Sequence, residues 1–228
     1  MSDDELIPAA TVILARDGSQ GPEVLMLKRN SKIAFGGMWV FPGGRLDPVD
    51  QVNDDLVESS RNAAVREAIE EAGLAVAAAD LVPWSFWVPP LVSAIKTAGP
   101  RRRFAIWFFL AEAPVGEVTI DNGEIHEHSW LTPGEAMTKR NLGEIELAPP
   151  TWVTLHQLHQ HATVADARRY GAGLTATPYF ETRPLATKPI TLAWEGDNAY
   201  DGGDPDEPGP RNRLRMAESG WEYEVSLS

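Results

Sequence analysis

The run Arg66-Glu67-Ala68-Ile69-Glu70-Glu71-Ala72-Gly73-Leu74 constrains this chain more than any other stretch. On a helix of 3.6 residues per turn, positions three or four apart share a face, so Glu67, Glu70 and Glu71 project together as a wall of carboxylate. On an ordinary solvated helix, acids at these spacings repel and are diluted with lysine. Between Glu58 and Glu71 the basic residues are Arg61 and Arg66 alone, so the charge must be balanced from elsewhere. A hard divalent cation does this well, because Mg²⁺ takes oxygen ligands and shares its shell with substrate phosphates. The plain alternative is a glutamate-rich surface helix without chemistry.

Upstream residues decide between the two. Glu58 precedes Arg66-Glu67 by seven intervening residues, and Phe41-Pro42-Gly43-Gly44 lies before that. The whole resembles the Nudix hydrolases, whose box reads G-x5-E-x7-R-E-U-x-E-E-x-G-U with U a bulky aliphatic residue. From Glu58 to Gly73 and Leu74 the match is in register, apart from Ala68 at the first U position. Gly44 and Glu58 enclose thirteen residues where the pattern has five, an insertion of eight. Because the register beyond it is undisturbed, the insertion is expected to bear on access or specificity and to be dispensable for metal binding.

The resemblance implies an α/β fold, a Nudix-type α/β/α sandwich with a central mixed sheet. It implies that Glu67, Glu70 and Glu71 ligate Mg²⁺ or Mn²⁺, that Gly43 adds its carbonyl, and that Glu58 supports an outer metal or its water. Arg66 is expected to orient a glutamate. Several family members use an acid on a later loop, and Glu124 and Glu127 are the candidates here, so the general base stays open among Glu67, Glu70, Glu124 and Glu127. The implied activity is hydrolysis of a diphosphate linkage in a nucleotide derivative, assisted by metal that neutralises phosphate charge and acidifies a bound water.

Bulk properties agree with such an enzyme. A chain of 228 residues with 43% hydrophobic residues buries one good core with a small appendage. There are no cysteines, which excludes disulfides, zinc thiolate sites and thiol catalysis. A net charge of −13 argues against a nucleic-acid surface, since phosphate backbones need a basic footprint. No apolar run is long enough for a bilayer, and Met1-Ser2-Asp3-Asp4-Glu5 lacks a basic signal-peptide start, so no membrane partner and a cytoplasmic location are expected. A homodimer is compatible with the sequence.

Along the chain, residues 9–15 and 23–29 read as a hairpin and 39–41 as a short strand. The box helix is expected from about Ser60 to Ala72, capped by Ser59 and closed at Gly73. Residues 151–170 read as one helix. The stretch 195–210, rich in Asp, Gly and Pro, reads as a mobile acidic loop between short strands. The organisation expected is a Nudix domain over 6–170 and a C-terminal extension over 171–228.

Substrate recognition narrows by local charge. Arg101, Arg102 and Arg103 are the densest positive cluster, and their planar forks suit phosphate oxygens. A solvated turn is the alternative. The long insertion, Arg102-Arg103-Phe104 before Phe108-Phe109-Leu110-Ala111, and Leu147-Ala148-Pro149-Pro150 before a helix together resemble the branch containing the peroxisomal coenzyme A diphosphatases and their bacterial relatives. Where other coenzyme A enzymes of the family carry arginines, Arg29 and Lys32 are the basic residues here. The C-terminal Ser226-Leu227-Ser228 is not a peroxisomal Ser-Lys-Leu address. The readings are therefore a coenzyme A or acyl-coenzyme A diphosphatase, an ADP-sugar or dinucleotide pyrophosphatase, or a non-catalytic nucleotide-sensing module. The last is disfavoured because such modules lose box glutamates.

Overall fold

The structure, a computed structural model, describes residues 5–30, 37–90, 102–120 and 123–226. In chain order the elements are β1 (Glu5–Gly18), β2 (Gly21–Arg29), β3 (Met38–Val40), β4 (Gly43–Arg45), α1 (Leu56–Ala72), β5 (Val82–Val88), β6 (Arg102–Glu112), β7 (Ile125–Leu131), α2 (Pro133–Asn141), β8 (Glu146–Leu147), α3 (Pro149–Leu158), α4 (Val164–Ala172), β9 (Tyr179–Glu181), β10 (Arg183–Leu185), β11 (Thr191–Ala193), β12 (Arg211–Ala217) and β13 (Gly220–Ser226). Two compact units form. The larger comprises the described residues of 8–86 and 106–178, the smaller those of 1–7, 87–105 and 179–228.

In the larger unit the strands run β8-β3-β2-β1-β6-β5, with β4 paired to β1 and β7 to β2. The expected hairpin forms, with Ala15 opposite Val24 and Gly18 opposite Gly21. Strand β8 pairs β3 in parallel while β1, β3, β4 and β7 take antiparallel partners, so the sheet is mixed. Alternation along β1 and β2 sends Val12, Leu14, Leu25 and Leu27 to one face, where they bury Ala63, Ala64, Ala68 and Ala72 of α1. Four alanines on that stripe let the helix lie close to the strands. Helix α2 packs against α3 and meets β2 and β7. This is the expected α/β/α sandwich around a mixed sheet.

Helix α1 begins earlier than Ser60. Asp55 is the N-cap, its carboxylate accepting from the Val57 and Glu58 amides, while Ser59 lies inside the helix with its hydroxyl donating to the Asp55 carbonyl. Gly73 closes the helix as expected, in the left-handed region at φ 68° where a β-carbon is disfavoured. The single helix expected over 151–170 is two: α3 ends at Leu158, and Thr163 caps α4 by accepting from the Asp166 amide. A capping threonine in mid-segment restarted the helix. No described helix is long and apolar enough to cross a membrane.

In the smaller unit β10-β11-β12-β13 form an antiparallel sheet. Trp87 stacks on Phe180 with centroids 4.1 Å apart, and Trp194 meets both rings edge-on. The stretch 195–210, expected to be a mobile acidic loop, is anchored. Asp197 is buried and accepts from Arg213 Nε at 2.7 Å, Arg213 Nη2 at 2.6 Å, and the amides of Ala199 and Asn212. One carboxylate in an acidic run thus serves as an internal tether.

Candidate active site on the box helix

The helical period does bring Glu67, Glu70 and Glu71 together, but in unlike surroundings. Glu71 is buried, Glu67 has a side chain 12% exposed, and Glu70 lies open at 57%. Glu58 stands nine residues before Glu67, about 13 Å along the axis, and pairs with Arg61 Nε at 3.1 Å. The structure does not place it in the cluster.

Strand β4 supplies the wall opposite α1. Pairing of Gly43 with Thr11 and Gly44 with Ala10 sets these glycines against the helix. The Gly43 amide donates to Glu71 Oε2 at 2.9 Å. At Gly44 a β-carbon would sit 2.2 Å from Glu67 Oε1, so the missing side chain is the space the carboxylate fills. At Gly43 it would strike the Thr11 hydroxyl and the Ala10 carbonyl at 2.5 and 2.6 Å. Both glycines are close-approach residues. In this arrangement Gly43 touches the acids through its N–H.

Arg66 is the hub. A guanidinium has five N–H donors. Nε reaches Asp50 Oδ1 at 3.1 Å and Oδ2 at 3.3 Å, and Nη2 reaches Asp50 Oδ2 and the Arg45 carbonyl, each at 2.9 Å. Nη1 reaches Glu67 Oε1 at 2.8 Å and Glu70 Oε2 at 2.9 Å. The Asp50 hydrogen bonds, foremost, hold the guanidinium well above its ordinary pKa despite partial burial.

The remaining acids strain against one another. Burial raises the Glu67 carboxyl above its usual range; Arg66 opposes this, while Glu70 and Glu124 add to it. Burial pushes Glu71 up to about 7, against the Gly43 amide and Arg29 and with help from Glu67 and Glu124. Arg29 of β2 reaches Glu124 Oε2, just before β7, at 2.7 Å and Glu71 Oε1 of α1 at 3.7 Å, and its buried Nε finds no partner among the described residues. Glu124 therefore belongs to the cluster. Glu127 does not: it stands opposite Lys28 in the β2–β7 register and pairs with Lys28 Nζ at 3.2 Å.

Arg101 lies outside the described residues, as does the side chain of Arg102. Arg103 is 15% exposed and engaged internally, donating to the Pro89 and Val88 carbonyls and to Glu181 Oε1 at 3.1 Å.

Among the described residues no three acid or histidine side chains close into a cation cage. The guanidiniums of Arg66 and Arg29 occupy carboxylate oxygens that a cage would use. The donor chemistry nevertheless fits a hard cation: all the side-chain donors are carboxylates, and Glu67 and Glu71 are both raised, in part by repulsion from neighbouring acids. Glu70, open to solvent and held by one Arg66 hydrogen bond, has freedom to turn inward.

Sequence reasoning missed Asp50. It sits in the inserted segment, 3% exposed, at the end of a 3₁₀ turn over Pro48–Asp50, with the Asp47 amide donating to its Oδ2 at 2.8 Å. The signal was there in Asp47-Pro48-Val49-Asp50, an Asp-x-x-Asp spacing around a proline that marks a capped turn. The insertion is thus tied into the box through Arg66.

Comparison with known proteins adds an independent line. The NUDIX domain family model matches residues 5–151. A Caenorhabditis elegans protein assigned as nudix hydrolase 7 is 28% identical over 230 aligned residues, covering 84% of this chain and 74% of its own. Among solved structures, a NUDIX hydrolase from Alicyclobacillus acidocaldarius superposes with a TM-score of 0.63 at 22% identity, covering 74% of this chain and 97% of its own. A MutT NUDIX hydrolase from Burkholderia pseudomallei gives 0.50 at 21% identity, over 68% and 98%. At those identities the two structures speak for the fold.

Proposed function

From the premise that this chain belongs to the NUDIX domain family, we propose that it hydrolyses the diphosphate linkage of a nucleotide derivative with Mg²⁺ or Mn²⁺. The observation that carries this reading is the box carboxylate pair Glu67 and Glu71, set against the Gly43-Gly44 wall with Glu70 beside them on Arg66. Glu67, Glu70 and Glu71 would hold the metal. Bound there, the metal would offset phosphate charge and acidify a water. In the metal-free protein Glu71, pushed up to about 7, sheds its proton near neutrality, and a bound cation would compete with that proton. Arg66 keeps the carboxylates of Glu67 and Glu70 aimed along one side of α1. Of the two later acids Glu124 is the better-placed base, because Arg29 links it to Glu71 of the box, whereas Glu127 pairs with Lys28.

Coenzyme A leads as substrate class on the sequence resemblance and on the arginines at 101 and 102. The test is a panel of coenzyme A, acyl-coenzyme A, ADP-ribose and diadenosine polyphosphates with each metal, products identified by mass. Cleavage between the phosphates of one member, abolished by chelator, supports the reading. No metal-dependent cleavage across the panel, by protein that binds nucleotide, returns it to a sensing module.

A further inference from the structure

We propose that Asp50 is a positioning residue that limits Arg66 to a single nitrogen on the box glutamates, and thereby sets the affinity of the box for its cation. The inference rests on the reading of the box as a metal centre.

An arginine adjacent to Glu67 and one turn from Glu70 is a built-in competitor for those carboxylates. Free to turn, its fork would grip them with two parallel hydrogen bonds, the strongest mode open to it. Asp50 prevents this by geometry and by charge. Its carboxylate takes Nε and one hydrogen of Nη2, and the Arg45 carbonyl takes the other, so only Nη1 is left for Glu67 and Glu70. It also sets one negative charge directly on the guanidinium, leaving the glutamates with less positive charge to balance them.

The placement is rigid. Asp50 Oδ2 accepts from the Asp47 amide at 2.8 Å, and the Asp50 carbonyl accepts from Asn62 Nδ2 of α1 at 3.1 Å. The same residue is thus fastened to its own turn and to the helix it serves. At 3% exposure its ionic contact to Arg66 is little screened by salt.

The consequence has a direction. Asp50→Asn keeps the shape, removes the charge and releases Arg66 toward the glutamates, so cation binding weakens. A roughly tenfold loss lies within the coupling seen between residues of one ion-pair network. The experiment is a calorimetric titration of Mn²⁺ into the wild type, Asp50→Asn, Asp50→Glu, Arg66→Gln and the Asp50→Asn/Arg66→Gln double variant, with folding checked by circular dichroism. Asp50→Asn should bind more weakly, Asp50→Glu should retain more affinity, and Asp50→Asn should change little once Arg66 is gone. Unchanged or tighter binding in folded Asp50→Asn overturns the proposal. So does an Asp50 effect of equal size in the Arg66→Gln background, which also decides the matter if the single variant does not fold. A wild type that binds no Mn²⁺ refutes the metal-centre reading itself, and this inference with it.

Discussion

Glu71→Gln should make the metal-free protein more stable at alkaline pH, although it removes a proposed metal ligand. In the folded chain burial pushes this carboxyl from 4.5 to about 7, so the fold holds the proton more tightly than the unfolded chain does. The sign follows from linkage. The stability associated with the group is fully present below about 4.5 and is lost as pH rises through about 7. A gap of about 2.5 pH units at about 1.4 kcal/mol each amounts to about 3 kcal/mol at pH 8. Screening takes little of it, since the side chain is 6% exposed. Glutamine keeps the acceptor for the Gly43 amide and drops the charge. It forfeits the 3.7 Å contact with Arg29, which retains Glu124, and its amide N–H groups need partners. The net gain expected is about 1–3 kcal/mol, at about 2–4 °C per kcal/mol for a chain of this size. Thermal unfolding in chelator at pH 5, 6.5 and 8 measures it. The curves should converge at pH 5 and separate at pH 8. A variant no more stable at pH 8, or equally stabilised at pH 5, would refute the reasoning. Adding Mg²⁺ at pH 8 should raise the melting temperature of the wild type and not of the variant.

Gly44→Ala should fold, because the added carbon meets the far end of the Glu67 side chain, yet it should lower kcat by about 10- to 100-fold by displacing that carboxylate; kinetics beside a melting curve separate the two effects. Arg103→Ala should cost about 1 kcal/mol of stability by removing a donor from the Pro89 carbonyl and the cationic partner from Glu181, while the Val88 carbonyl keeps the Thr182 amide and Glu181 keeps the Tyr179 hydroxyl, with KM for coenzyme A and ADP-ribose unchanged. A selective rise in KM for coenzyme A would instead assign it to phosphate recognition. Nucleotide diphosphates should bind measurably by calorimetry only when Mg²⁺ or Mn²⁺ is present, and equal affinity in chelator would show that the acids do not repel them.

Much of the fold was legible because it rests on local periodicity. The β1–β2 hairpin and the carboxylate face of α1 needed only spacing and turn chemistry. The misplaced boundaries are cases where one cap competed with another: Asp55 displaced Ser59, and Thr163 split the helix expected over 151–170. Glu124 and Glu127 were not separable by local pattern: Glu124 lies just before β7 and Glu127 within it, and the register shift at Lys28/Arg29 that parts them comes from pairing with β2, which is long-range. Charge density was the weakest guide. It marked three adjacent arginines as equivalent, whereas Arg103 is bound to carbonyls that sequence does not reveal.

Asp50 shows why the site itself was only half legible. Sixteen residues separate it from Arg66, and nothing local marks the two as partners. Its effect appears only in a count of charges in contact. Among the described residues Asp47, Asp50, Glu67, Glu70, Glu71 and Glu124 face Arg29 and Arg66, six carboxylates against two guanidiniums. Without Asp50 the imbalance would shrink and Arg66 would be free to bring a second nitrogen onto the box. A box with less negative excess would attract a cation less. In the proposed role the buried aspartate would keep the box short of positive charge, and that deficit would draw a divalent ion to an otherwise ordinary row of glutamates.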